Sequence, residues 1–369
     1  MLKNICSRML LVAFVTAAFF SGKTACSQPQ LQKKVIAYYQ GDGSDIYSFK
    51  TGQLTHIIYS FLQLKGNELV VANKNDSLAI SRLVEFKKSN SNLKVLVSLG
   101  GWGGCSTCSQ SFSTEKGRLE FAESALKLFK RYGVDGIDLD WEYPGIKSVS
   151  ECKFMPEDKQ HFTALIQILR TTLEPAYEIS FAAGGFREYL VKSVDWKKVM
   201  PLVNSVNLMT YDFVNGNSNH TGHLTSLYST TDQSESTDFN VKYLDSIGIP
   251  MNKIVIGLAF YARVYSGVEP ANNGLYQAGK FSGYLNYREF EEKLGAKTGY
   301  IQYWDNLAKA PYAYNASTKT FATYDNLRSV FYKTKYAKDH NLGGVMFWEL
   351  HGDKLSDGLL DMIYEANSE

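Results

Sequence analysis

Eight short apolar runs, rich in β-branched residues, recur along this 369-residue chain with helical segments between them. They lie at residues 35–39, 56–61, 94–99, 136–141, 178–183, 205–211, 254–260 and 344–348. Several are apolar almost without interruption, as strands buried on both faces must be. Two intervening segments carry helical stripes: Leu119, Ala122, Leu126 and Phe129, then Phe162, Leu165, Ile166 and Leu169. Pro156 suits a first helical turn. Eight strands alternating with helices predict a (β/α)8 barrel, an α/β fold whose chemistry sits at the C-terminal strand ends. A doubly wound open sheet is the alternative, but no glycine-rich phosphate loop opens a helix.

Polar and aromatic residues gather where the runs end. The clusters are Ser98–Trp102, Asp138–Glu142, Met209–Asp212, Tyr261–Arg263 and Trp348–Glu349. One connection, residues 264–323, is too long for a plain loop. It is rich in Tyr, Gly and Asn and contains a helix-like piece at 287–294. The expected domains are a barrel over 33–263 and 324–366, with a small α+β insertion over 264–323 between strand 7 and the following helix.

The segment 135–144 reads Asp-Gly-Ile-Asp-Leu-Asp-Trp-Glu-Tyr-Pro. On a strand, alternate side chains share a face, so Asp138, Asp140 and Glu142 align opposite Ile137, Leu139 and Trp141. Same-face neighbours stand about 6–7 Å apart. Carboxylates this close cannot all ionise freely, and at least one pKa must rise. A neutral carboxylic acid beside an ionised one is what acid-catalysed glycoside cleavage requires. A solvated acidic face is the bland alternative, but no Lys or Arg interleaves to neutralise it. A hard-cation site is another, but the segment has no nearby His and carries Trp141. Asp135 has the wrong parity for the barrel interior and reads as structural. No metal or cofactor is expected; His220 and His223 do not make a metal site by spacing alone.

With 44% hydrophobic residues the chain can bury a large core, and a net charge of +2 gives no reason to expect nucleic acid. Lys3 and Arg8 precede an apolar run over 9–20, a pattern of a secretory signal cleaved between residues 22 and 28. A secreted or periplasmic protein is therefore expected, with residues 1–26 as the signal and lipid anchoring at Cys26 as a variant. No integral membrane segment is expected beyond it, and a monomer is expected. In an oxidising compartment Cys105 and Cys108 favour a disulfide, with each other or through Cys152.

Four motifs in order resemble glycoside hydrolase family 18, the chitinase family. Asp135, Asp138, Asp140 and Glu142 match its D-x-x-D-x-D-x-E signature, and Ser98, Gly100 and Gly101 its S-x-G-G strand. Met209, Tyr211 and Asp212 match M-x-Y-D, and Trp348 ends the last strand where the family places a sugar-stacking tryptophan. Trp304-Asp305 and Pro311-Tyr312 resemble the subgroup with an α+β insertion. Ala262 is a small departure, since the family often has Gly there.

The resemblance implies a retaining, substrate-assisted mechanism on chitin or chitooligosaccharides. Glu142 is the implied acid, Asp140 orients the substrate acetamido group, Asp138 shares a proton or hydrogen bond with Asp140, and Tyr211 contacts the acetamido oxygen. Asp212 and Met209 line the subsite, and Trp348 is its floor. Trp102, Gly101, Tyr143, Tyr39 and Phe61 are further candidates for substrate contact. Arg263 is expected to bind sugar hydroxyls or Glu349. An endo-acting glycan hydrolase and a non-catalytic chitin-binding lectin are the competing functions; the presence of Glu142 weighs against the lectin.

Overall fold

The computed structural model describes residues 33–148 and 152–369. The expected signal over 1–26, with Cys26, lies outside the described residues. The first strands are β1 (Lys34–Tyr39), β2 (His56–Lys65) with its short antiparallel partner β3 (Glu68–Val70), β4 (Lys94–Gly100) and β5 (Gly136–Asp140). They continue with β6 (Glu178–Gly184), β7 (Ser205–Met209) and β8 (Ile254–Ala259). A second sheet follows, made of β9 (Tyr261–Ser266), β10 (Lys280–Asn286), β11 (Ile301–Asp305), β12 (Ala310–Asn315) and β13 (Thr320–Tyr324). The last strand is β14 (Gly344–Trp348).

Strands β1, β2, β4, β5, β6, β7, β8 and β14 pair in parallel in chain order, and β14 returns to β1. The sheet therefore closes into the expected (β/α)8 barrel. Each of the eight apolar runs supplies one barrel strand.

Alternation along each strand separates two cores. Val35, Ala37 and Tyr39 on β1 face the layer between barrel and helices, as do Ile137 and Leu139 of β5 and Trp141 just after it. Ile36 and Tyr38 face the barrel interior with Ile58, Leu96, Ala182, Met209, Val255 and Met346. Continuous apolar runs arise because both faces of each strand are covered.

The helix Glu115–Tyr132 is capped by the Thr114 side chain and ends at Gly133 in the left-handed region. Its buried stripe is Phe121, Ala122, Ala125, Leu128 and Phe129. The stripe drawn through Leu119 is therefore corrected, for Leu119 is 44% exposed. Phe121 and Phe129, the largest apolar side chains of the helix, set its phase instead. On the helix Asp158–Thr172 the expected stripe of Phe162, Leu165, Ile166 and Leu169 is buried. Pro156 stands two positions before that helix rather than in its first turn.

Strands β9 to β13 form an antiparallel sheet in the order β10-β9-β13-β12-β11. It begins at Tyr261, almost directly after β8, and ends at Tyr324. A buried ion pair fastens its exit to the barrel. Lys333 Nζ lies 2.8 and 2.9 Å from the Asp325 carboxylate oxygens and donates to Thr225 Oγ1 at 2.5 Å. Asp325 also accepts from the Ala259 amide at 3.1 Å, and neither side chain of the pair reaches solvent. Among the described residues, no helix is long and apolar enough to cross a membrane.

Lys333→Met leaves the Asp325 charge buried without its partner. The expected outcome in urea denaturation is a loss of about 3–5 kcal/mol of unfolding free energy. A loss below about 1 kcal/mol would show that Asp325 finds compensation elsewhere.

Candidate active site

The centre of the barrel holds Asp138 with no exposed surface. Four donors surround it. Tyr38 Oη and Ser98 Oγ donate to Oδ2 at 3.0 and 2.9 Å, and Ser180 Oγ and Asn207 Nδ2 donate to Oδ1 at 2.7 and 3.1 Å. Asn207 also donates to Tyr38 Oη at 3.0 Å, so the donors support one another. Burial pushes the Asp138 carboxyl up, and the hydrogen bonds from Ser180, Ser98, Tyr38 and Asn207 oppose the rise. Because the Asn207 amide nitrogen can only donate, and it directs one proton to Asp138 and another to Tyr38 Oη, the geometry favours the carboxylate form.

One position further along the same face, Asp140 is buried and its Oδ1 has no hydrogen-bond partner among the described residues. Its pKa is driven well up, first by burial and then by the charges of Glu142 and Asp138. The four hydrogen bonds to Asp138 do not include one from Asp140, so their coupling in this structure is electrostatic. Glu142 completes the row. Burial raises it to about 7, a hydrogen bond with Tyr143 pulls it back, and the Asp212 charge adds to the rise.

The walls are aromatic. Trp348 stacks on Phe61, with ring centroids 5.4 Å apart and planes at 15°, and Tyr38 tilts against it at 5.8 Å. Tyr211, Tyr143 and Trp348 all border the interior cluster that contains Met209 and Met346. The Tyr211 hydroxyl lies 3.9 Å from the Met346 sulfur. A Cβ on Gly257 would stand 2.7 Å from the Tyr211 ring, so that strand position must be glycine for the ring to enter. Gly101, with φ +77°, plays the same part for Phe61, whose ring fills the place of a Cβ. The Gly101 amide donates to the Asp140 carbonyl at 2.9 Å and ties the two strand ends together.

Asp212 leaves the barrel wall in the left-handed region, with φ +57°. Arg263 of β9 grips it with two hydrogen bonds, Nε to Oδ1 at 3.0 Å and Nη2 to Oδ2 at 2.8 Å. Tyr261 Oη donates to the same Oδ1 at 2.9 Å. Arg263 is thus bound to Asp212, not to Glu349, and both of its hydrogen bonds to a side chain go to that carboxylate. Trp102 is 58% exposed and meets Tyr143 edge-on at 6.5 Å, on the rim.

Tyr39 is the clear correction among the expected contacts. It points out of the barrel, where its hydroxyl donates to Asp45 at 2.7 Å and its ring packs on His351. Tyr38 takes the inward place, one position earlier, because strand parity follows Ile36. Tyr38, Ser180, Asn207 and Tyr261 are site residues that the sequence motifs do not mark. Asn207 and Ser180 share the parity of Met209 and Ala182, which is the signal that reveals them.

Asp135 sits at the opposite end of β5, outside the interior. It pairs with Lys87 at 2.7 Å and accepts from the Val95 amide at 2.7 Å, a structural role. Cys105 and Cys108 form the disulfide, and Cys152 is a free thiol among the described residues. His223 is buried and contacts Asp305 of the second sheet at 2.9 Å, while His220 is turned toward Asn219.

The sequence matches the model of the glycosyl hydrolases family 18 over residues 34–353. It is 36% identical over 300 residues to chitinase A1 of Niallia circulans, covering 74% of this chain and 43% of that protein. It is 29% identical to chitinase B of Serratia marcescens, covering 86% of this chain and 77% of that protein. Among solved structures, a family 18 N-acetylglucosaminidase from Paenibacillus barengoltzii superposes with a TM-score of 0.82 at 34% identity, covering 90% of this chain and 99% of that one. A parallel barrel with buried carboxylates along its fourth strand and a stacked tryptophan ending its eighth fits a glycoside hydrolase class. The chain belongs to glycoside hydrolase family 18. It spans less than half the length of chitinase A1.

Tyr38→Phe removes one donor from the buried Asp138. Chemical denaturation should show a loss of about 1.5–3 kcal/mol, the worth of a hydrogen bond to a charged group. Ser98→Ala combined with it should be non-additive, because both donate to Oδ2. Simple additivity would show that the shell is not cooperative.

Proposed function

We propose that this protein is a chitinase that cleaves β-1,4-linked N-acetylglucosamine chains with retention, using the substrate's own acetamido group as nucleophile. The observation that supports this most is Glu142, a buried carboxyl raised to about 7 at the end of a strand whose other inward acids are Asp140 and Asp138. A group of that pKa carries its proton near neutrality and can give it up in the reaction. The relatives named as chitinases in Niallia circulans and Serratia marcescens favour the same substrate class.

In this reading Glu142 donates its proton to the glycosidic oxygen as the C–O bond breaks. The acetamido carbonyl oxygen attacks the anomeric carbon from the opposite face, forming an oxazolinium ion. Asp140, beside that group, accepts a hydrogen bond from its N–H, and so orients it and stabilises the positive charge that develops on its nitrogen. Water, deprotonated by the Glu142 carboxylate, then opens the ring and restores the acid. The nucleophile is part of the substrate, so the reaction gains from prepositioning. Most retaining glycosidases supply a second carboxylate for that attack; substrate assistance removes the need for one.

In the same reading Tyr211 hydrogen-bonds the acetamido oxygen, and Trp348, stacked on Phe61, gives a flat apolar surface to a pyranose face. Asp212, held by Arg263, contributes negative charge near Glu142 and so helps keep its proton on. Export by the apolar N-terminal run is part of the same proposal. Mass measurement of the mature N-terminus checks it, and a start at residue 1 would refute cleavage.

Glu142→Gln should abolish turnover while oligosaccharide binding persists, because shape is kept and only the proton is lost. Asp140→Asn should also cost most of the activity. Normal turnover in either variant removes that residue from its role. Glu142 works as an acid only while protonated, so kcat/KM should fall as pH rises through about 7. A rate that stays flat well into alkali would sink the acid assignment. NMR of the first product from a soluble N-acetylglucosamine oligomer should show the β-anomer. Release of glycan from a glycoprotein, with oligomers untouched, would favour the glycan hydrolase instead.

A further inference from the structure

The aromatic floor is followed immediately by a charged corner that the mechanism above does not use. Glu349 succeeds Trp348, and His351 lies two residues on. His351 Nε2 is 2.7 Å from Asp45 Oδ2, and its Nδ1 is 3.3 Å from Glu349 Oε2. The backbone amide of His351 also donates to Glu349 Oε2 at 3.3 Å. The ring packs against Tyr39 with centroids 4.8 Å apart, and Phe49 meets its edge at 5.7 Å. Tyr39 closes the circuit, since its hydroxyl donates to Asp45 Oδ1 at 2.7 Å and accepts from the Gly43 amide at 2.9 Å.

Both ring nitrogens therefore face carboxylates, one from the loop after β1 and one from the corner after β14. An imidazole can serve two acceptors at once only when both nitrogens carry protons. We propose that His351 is a positioning residue for substrate: as an imidazolium between Asp45 and Glu349 it pins the loop after β1 to the Trp348–Glu349 corner and holds the stacking floor in its binding shape. The proposal rests on the reading of Trp348 as a sugar platform given above.

The groups facing the ring are Asp45 and Tyr39 from β1 and its loop, and Glu349 from its own turn. The pairs with Glu349 and Asp45 raise the His351 pKa, while partial burial opposes them. A raised folded-state pKa means that the clamp is complete at low pH and is lost as pH climbs through that value. The corner is partly exposed, so the effect is modest.

The test uses binding of the N-acetylglucosamine hexamer to the Glu142→Gln protein, measured by calorimetry. Removing Glu142 takes one titrating group out of the site; Asp140 remains, so the part due to His351 is the difference that replacing it makes. From about pH 5.5 to about pH 9 the affinity should fall by about fivefold, the size expected of a partly exposed ion pair. Adding His351→Gln should flatten that dependence at the weaker level, and Asp45→Asn should do the same. An affinity that does not change with pH, or that changes equally with Gln at 351, overturns the proposal. A parallel NMR titration reads the His351 ring directly, and a midpoint below the ordinary value near 6.5 also overturns it. If the protein binds no N-acetylglucosamine oligomer, the proposed function fails. The clamp is then decided by the ring titration and by amide exchange over residues 41–49, which His351→Gln should accelerate.

Discussion

The buried Asp138 is the constraint on which the rest of the site depends. A charge at the centre of a barrel would cost several kcal/mol if left bare. Tyr38, Ser98, Ser180 and Asn207 come from four different strands to satisfy it. The barrel must close in one register for all four donors to arrive. Burial first, then the charges of Glu142 and Asp138, stabilise the proton of Asp140, whose Oδ1 has no hydrogen-bond partner among the described residues. Asp138 thus adds to the negative field at Asp140, behind burial and the charge of Glu142, without needing to touch substrate.

A second layer of control comes from outside the barrel. Asp212 would be free to turn toward solvent from its left-handed backbone position, but Arg263 and Tyr261 hold both of its oxygens. Those two residues stand on β9, the first strand of the second sheet, which starts directly after β8. The added sheet therefore reaches the charge balance around Glu142 through one bidentate contact. Lys333 and Asp325, at the other end of that sheet, anchor its return to the barrel without entering the site.

The fold is legible in the sequence because parallel barrel strands are covered on both faces and their apolar runs stand out. The acid row is legible because period-two alternation is strict. The same rule marks where sequence reading falls short. Tyr39 looks like a contact from its place at a strand end, yet Ile36 and Tyr38 share the inward parity, and the packing with His351 shows where Tyr39 goes. Arg263 and Glu349 both lie at strand ends, and β8, which leads into β9, has both β7 and β14 as neighbours; only the structure shows that Arg263 turns to Asp212 after β7. Spacing alone puts Leu119 in a core stripe, whereas the bulk of Phe121 and Phe129 decides the rotation of that helix. Ser180 and Asn207 carry no motif of their own, so their meaning emerges only when four strands are brought together.

The disulfide between Cys105 and Cys108 closes a very small ring of chain. Crosslinks of that size remove little freedom from an unfolded polypeptide, so they add little to global stability. Its effect is local instead. It fixes the turn that follows Gly100 and Gly101, and with it the rim segment bearing the exposed Trp102. The outer lip of the cleft is in this sense a stiffened shelf rather than a loose loop, and a sugar ring landing on Trp102 would have less disorder to remove.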